Sequence, residues 1–153
     1  MSENKPTILP RDQHCISRKQ IDTNSLKVLY RLHRHAYKAC LVGGSVRDLL
    51  LGRQPKDFAI GTDATPSQVR KLFRNSFLVD RRFRLAHIRF ASHKLIEVAI
   101  FRRQPEANKL PDDPDKHFHF VQNVFGSPGE YAARRDFTIE AISTRLLSNT
   151  KSR

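Results

Sequence analysis

Apolar positions along the chain change period several times, and each change marks an element. Leu26, Leu29, Tyr30 and Leu32 or His33 recur at three- and four-residue spacing, the pattern of one buried side of an α-helix running to about residue 35. Asp22 or Thr23 stands at its start as a cap. A strand is predicted over 37–42, turned by Gly43-Gly44 into a short helix over 45–51 that Gly52 ends. A second strand is predicted over 55–62. Thr65-Pro66 then gives a cap followed by a proline at the first helical position, opening a helix to about residue 75.

Residues 83–90 and 95–101 read as two more strands, joined in a hairpin around Ala91-Ser92-His93. A polar stretch over 102–127, with three prolines ahead of Val121, reads as a loop. Within it His117 and His119 have no further ligand nearby and are read as loop residues. Residues 130–147 are predicted helical with a break near Asp136. The first 16 residues form a flexible, extended arm, residues 17–147 the domain, and residues 148–153 a frayed tail. Short strands interleaved with helices, two of them in a hairpin, predict a small α+β domain rather than a repeated βαβ unit.

Charge narrows the function. Lys and Arg number 28 against 15 acidic residues, a formal net charge of +13 over 153 residues. Such an excess suits a polyanionic partner, although a solvated basic surface has the same composition. Residues 68–103 hold ten of the cations and only two acids, Asp80 and Glu97. Within them Arg81, Arg82 and Arg84 surround Phe83, a mixture that suits phosphate contact with base stacking. No apolar stretch is long enough to cross a membrane. No apolar segment follows the first six residues, so no secretory signal is expected. Cys15 and Cys40 have no metal spacing and are read as reduced thiols, which places the chain in the cytoplasm.

The candidate chemistry begins at Leu41-Val42-Gly43-Gly44-Ser45-Val46-Arg47-Asp48. Gly43 and Gly44 permit positive φ and leave no Cβ in the way, so N–H groups at the start of the following helix can face phosphates. A plain strand-to-helix turn would also use two glycines. Arg47 lies in the first turn and can reach the same phosphates. Asp48 beside it reads equally as a structural ion-pair partner. Farther on, Arg134, Arg135 and Asp136 can hold phosphate and ribose, or form a surface ion-pair cluster.

Asp57 and residue 59 share a face if both lie on one strand. Two carboxylates there would hold two Mg²⁺ ions about 3.5–4 Å apart, one activating a 3′-hydroxyl and the other neutralising the leaving pyrophosphate. Glu97, between Ile96 and Val98, is a third carboxylate on a strand where an unpaired charge is costly. Residue 59, however, is Ala, whose methyl cannot ligate a hard cation. Asp57 and Glu97 are left to hold one Mg²⁺-nucleotide weakly.

In this order the motifs resemble those of the bacterial poly(A) polymerases, within the family that also contains the class II CCA-adding enzymes. The matching segments include residues 41–52, 55–58, 64–75, 81–87, 96–98, 124–127 and 134–139. The Gln-Val-Arg-Lys-Leu-Phe-Arg-Asn and Arg-Arg-Phe-Arg-Leu-Ala-His runs resemble poly(A) polymerase more than the CCA-adding enzymes. The resemblance implies a polymerase β-like head, a short mixed sheet with helices packed on it. It implies template-independent transfer of AMP from ATP to RNA 3′ ends with Mg²⁺.

By the same resemblance Gly43, Gly44 and Arg47 would meet the triphosphate, Asp57 with a partner at 59 the metal, and Asp136 with its arginines the sugar and phosphates. Ala59 departs from the pattern, Glu140 stands in place of the usual Asn, and the neck and body that follow such a head are expected to be absent. An impaired nucleotidyltransferase is therefore expected. The alternatives are a non-catalytic RNA-binding module and a CCA-adding type of nucleotidyltransferase.

Overall fold

The computed structural model describes residues 7–80, 85–102, 113, 126–133 and 141–144. Four helices lie within them: α1 (Thr23–Arg34), α2 (Gly44–Leu50), α3 (Pro66–Leu72) and α4 (Pro128–Ala132). Six strands form one sheet: β1 (Ala39–Val42), β2 (Ala59–Thr62), β3 (Ser76–Asp80), β4 (Leu85–Arg89), β5 (Leu95–Ile100) and β6 (Ser143–Thr144). Their spatial order is β3-β4-β5-β2-β1-β6. The β2–β5 pair is parallel and the remaining pairs are antiparallel, so the sheet is mixed.

Helix starts follow local capping chemistry. The Asp22 carboxylate accepts from Ser25 N–H at 3.0 Å and fixes the first turn of α1. Thr65 and Gln68 form a reciprocal capping box ahead of Pro66. Ser127 and Glu130 do the same for α4, which therefore begins two residues before the expected 130. The buried side of α1 is Ser25, Val28, Leu29 and Leu32, spaced i, i+3, i+4, i+7. Tyr30 was expected on that side. It is 40% exposed and instead lies under the Arg18 guanidinium, because it is rotated away from the Val28–Leu29–Leu32 stripe.

Strand alternation sorts the sheet into two faces. On one, Leu41, Ile60, Ile88, Ile96 and Val98 pack with Val28, Leu29 and Leu32 of α1, Val46 and Leu49 of α2 and Val69 of α3. Burying each of these large side chains contributes about 1.5–3 kcal/mol. The other face carries Cys40, Val42, Ala59, Gly61, Glu97, His87 and Phe77, from the register of the pairs. A small second cluster covers part of it: Cys40, Val42 and Phe101, with Ala59 and Tyr131 against them. Near the N-terminus, a turn at Arg11–Gln13 precedes Ile16, which is buried in the main core.

Four expectations about elements need correction. The second strand begins at Ala59 and not at 55, because β1 supplies only four residues to pair with it. Asp57 therefore precedes the ladder. The α3 helix ends at Leu72, and residues 76–80, unassigned from the sequence, form edge strand β3. Residues 143–144, expected helical, pair with β1 through Val42–Ser143 and Leu41–Thr144. The Ala91–His93 hairpin turn is as expected, with Ser92 and His93 both at positive φ.

Candidate functional site

The β1-to-α2 turn has the geometry that its glycines allow. Gly43 sits at φ 73° and ψ −144°, a conformation that only glycine adopts without strain. Its N–H donates to Ile142 O at 3.2 Å, so the β6 region braces the turn from outside. Gly44 opens the helix, and a Cβ there would come within 3.2 Å of Arg47 Nη2. The guanidinium thus folds back across the first turn of α2 into space that glycine leaves vacant. Arg47 Nε donates to Asp48 Oδ1 at 3.0 Å, in a half-buried pair. Both readings of Asp48 and Arg47 meet here: the ion pair is structural, and it aims the cation at the helix start, where the dipole already favours an anion.

Next to this turn, a single row of residues crosses all six strands. Phe77 pairs with His87, His87 with Glu97, Glu97 with Ala59, Ala59 with Val42, and Val42 with Ser143. Neighbouring strands are about 4.8 Å apart. Glu97 therefore projects from the same face as Ala59 and beside it. Asp57 is exposed and precedes β2, while Phe58 and Ile60 on either side of Ala59 are buried in the main core. The structure sets Ala59 and Glu97 side by side, so the position next to the carboxylate is a methyl group.

The sequence reading missed Glu97's partner. His87 Nε2 lies 3.6 Å from Glu97 Oε2, so imidazole and carboxylate meet across β4 and β5. The signal was present, since His87 and Glu97 fall at matching positions of a hairpin centred on residues 91–93. Asp63 is fully used elsewhere: its carboxylate accepts from Lys38 N–H at 2.8 Å and its N–H donates to Lys38 O, tying the ends of β1 and β2. Among the described residues, no group of three or more His, Cys, Asp or Glu side chains could hold a metal ion. Arg81, Arg82, Arg84, Arg134, Arg135, Asp136, His117 and His119 lie outside the described residues.

A mixed sheet with a glycine-turned helix start beside an acidic strand position is the layout of a nucleotidyltransferase head. A family model described as the poly(A) polymerase head domain matches residues 39–151. The poly(A) polymerase I of Salmonella typhi is 55% identical over 140 residues, which cover 89% of this chain and 30% of that protein. The chain thus spans about a third of the length of such curated relatives.

Among solved structures, the Bacillus stearothermophilus CCA-adding enzyme in complex with CTP matches with a TM-score of 0.62 and 32% identity, over 78% of this chain and 26% of that one. A tRNA nucleotidyltransferase complexed with a primer tRNA and an incoming ATP analog matches with a TM-score of 0.53 and 27% identity, over 78% of this chain and 31% of that one. The chain belongs to the poly(A) polymerase head-domain family.

Among the described residues, no helix is long and apolar enough to cross a membrane. Cys15 and Cys40 are not joined in a disulfide.

Proposed function

We propose that this chain is the nucleotide-binding head of an RNA 3′-end adenylyltransferase in which Ala59 disables metal-assisted transfer. The observation that carries the reading is the register of Ala59 with Glu97 on adjacent parallel strands. In the family's two-carboxylate pattern, position 59 supplies the second metal-binding Asp. Here it supplies a methyl that packs against the cluster of Cys40, Val42 and Phe101.

The residues present do not fit a pair of Mg²⁺ ions. Magnesium demands near-octahedral oxygen ligation. Asp57 is exposed and Glu97 faces His87, so two separated carboxylates remain where three belong. What the scaffold retains is recognition. Gly43, Gly44 and Arg47 receive the triphosphate, with Arg134, Arg135 and Asp136 serving sugar and phosphates. The stronger likeness to poly(A) polymerase than to CCA-adding enzymes favours ATP as the nucleotide. RNA 3′ ends are the acceptor, and Arg81, Arg82 and Arg84 supply cations for its backbone. The domain proper spans residues 17–147, and the chain acts in the cytoplasm.

The test is primer extension of oligo(A) with ATP and Mg²⁺ or Mn²⁺. The unmodified chain is expected to add nothing, and Ala59→Asp to restore addition. Extension by the unmodified chain would overturn the reading.

A further inference from the structure

The molecule has a second feature that the nucleotide site does not use. Where β3 and β4 begin and end, Arg74, Asn75, Ser76, Phe77, Arg89 and Phe90 line an open cleft of about 560 Å³. The cleft is wide open to solvent. Two of the six residues are arginines, two are aromatic and none is acidic. The Arg89 guanidinium carbon lies 5.2 Å from the Phe77 ring centroid, a cation–π contact. Phe77 in turn meets His87 edge-on, with centroids 5.8 Å apart.

The cleft is built by the backbone as well as by side chains. Arg89 N–H donates to Asn75 O at 3.0 Å, and the Asn75 amide donates back to Arg89 O. This closed pair holds Asn75 at the rim. Arg70 Nη1 donates to Ser76 O at 2.5 Å and fixes the start of β3 from the other side.

We propose that this cleft is a stacking subsite for one base of single-stranded RNA, held upstream of the 3′ end. The inference deepens the reading above and rests on it for RNA as the polymer. A base offers a π-face for the Arg89–Phe77 pair, and its flanking phosphates suit Arg74 and Arg89. The position suits a polymer more than a free nucleotide. Phe77 lies in the same cross-strand row as Glu97, two strands away, or about 10 Å at ordinary strand spacing. A single strand seated at Phe77 can run across His87 on the open face and present its end at the Glu97–Ala59 pair. An acidic protein segment could use the two arginines but has no use for the aromatic surface.

The test is fluorescence anisotropy of labelled oligo(A) RNA against the full chain over a range of salt. Arg74→Ala/Arg89→Ala is expected to weaken binding about tenfold and to flatten the log–log salt slope by about 1.4, from about 0.7 per phosphate contact. Phe77→Leu, which keeps an apolar side chain, is expected to weaken binding several-fold with the slope unchanged. Arg34→Ala/Arg53→Ala removes equal charge elsewhere and is expected to change affinity far less.

Equal loss in the two double-arginine variants would overturn the subsite, as would failure of the unmodified chain to bind RNA. Competition by a poly-Glu peptide as effective as that by oligo(A), abolished by the same variants, would reassign the cleft to an acidic protein and also overturn it. ATP affinity reports on the nucleotide site without RNA, so failure there is distinguishable from failure here.

Discussion

Glu97 has a histidine on one side and a methyl on the other: His87 lies 3.6 Å away across the β4–β5 pair, and Ala59 is its register partner on β2. A carboxylate that would share a cation with a second acid at position 59 is here directed toward an imidazole. The glycine turn and Arg47 lie next to the same row, at the β1-to-α2 connection.

The Gly44–Arg47 contact separates nucleotide recognition from stability. Gly44→Ala places a Cβ where only the far end of a flexible side chain must move, 3.2 Å from Nη2. Global stability is expected to stay within about 1 kcal/mol, since alanine is the better helix former. ATP affinity is expected to fall several-fold because the guanidinium is displaced. Paired thermal melts and ATP titrations check this. Unchanged ATP affinity would show that the position of Arg47 is not used.

Gly61 is held by close packing on the other face of the sheet from the main core. A Cβ there would approach Phe101 Cε1 to 2.5 Å and Val42 Cγ1 to 3.0 Å. Gly61→Ala is expected to cost about 1–3 kcal/mol by overpacking. Adding Phe101→Leu should recover part of that loss, because it removes the atom in closest conflict. A double-mutant cycle on denaturant midpoints measures the coupling, and strict additivity would contradict the packing account.

Asp22 joins the α1 cap to the β4–β5 hairpin, with Lys94 Nζ 2.5 Å from its Oδ1. Burial pushes the Asp22 carboxyl up. The hydrogen bond from Lys94, the Ser25 N–H, the Lys94 charge and the Ser25 hydroxyl together outweigh it and hold the carboxyl below its ordinary value of 3.8. A depressed folded-state pKa stabilises the fold above the unfolded value, and the contribution is lost as pH falls through the folded value. Lys94 is more than a third exposed, so Lys94→Met is expected to cost only about 1 kcal/mol at neutral pH. That difference should shrink as the pH falls below 3.8, which melts across an acidic series can follow.

Local chemistry made much of this fold legible. The Gly43-Gly44 turn, the Thr65-Pro66 helix start, the Asp22 cap and the Ala91–His93 hairpin each lie in a few contiguous residues. The elements missed depend on partners distant in sequence. Residues 143–144 pair with β1, and apolar periodicity near Ala141 and Ile142 carries no trace of that contact. Edge strand β3 leaves Leu78 and Val79 exposed, so its three-residue apolar run lacks the alternation that marks a half-buried strand. Asp57 was placed on a strand because strand length is set by the partner β1, which one segment does not reveal. The Ser127–Glu130 capping box is local and legible as Ser-Pro-Gly-Glu, which sets the α4 start at Pro128. At the site, Ala59 and Glu97 are each legible in the sequence, and the His87–Glu97 pair follows from the register of one hairpin, whereas the Ala59–Glu97 pair depends on a parallel pairing between distant strands.

The most direct measurement of the central claim is calorimetric titration of ATP, with Mg²⁺ and with EDTA, into this chain and into Ala59→Asp. The account predicts that the unmodified chain binds ATP with an affinity almost indifferent to Mg²⁺. It predicts that Ala59→Asp gains a marked Mg²⁺-dependent increase, lost again when Glu97→Ala is added. An Mg²⁺ dependence in the unmodified chain as strong as in Ala59→Asp would contradict it.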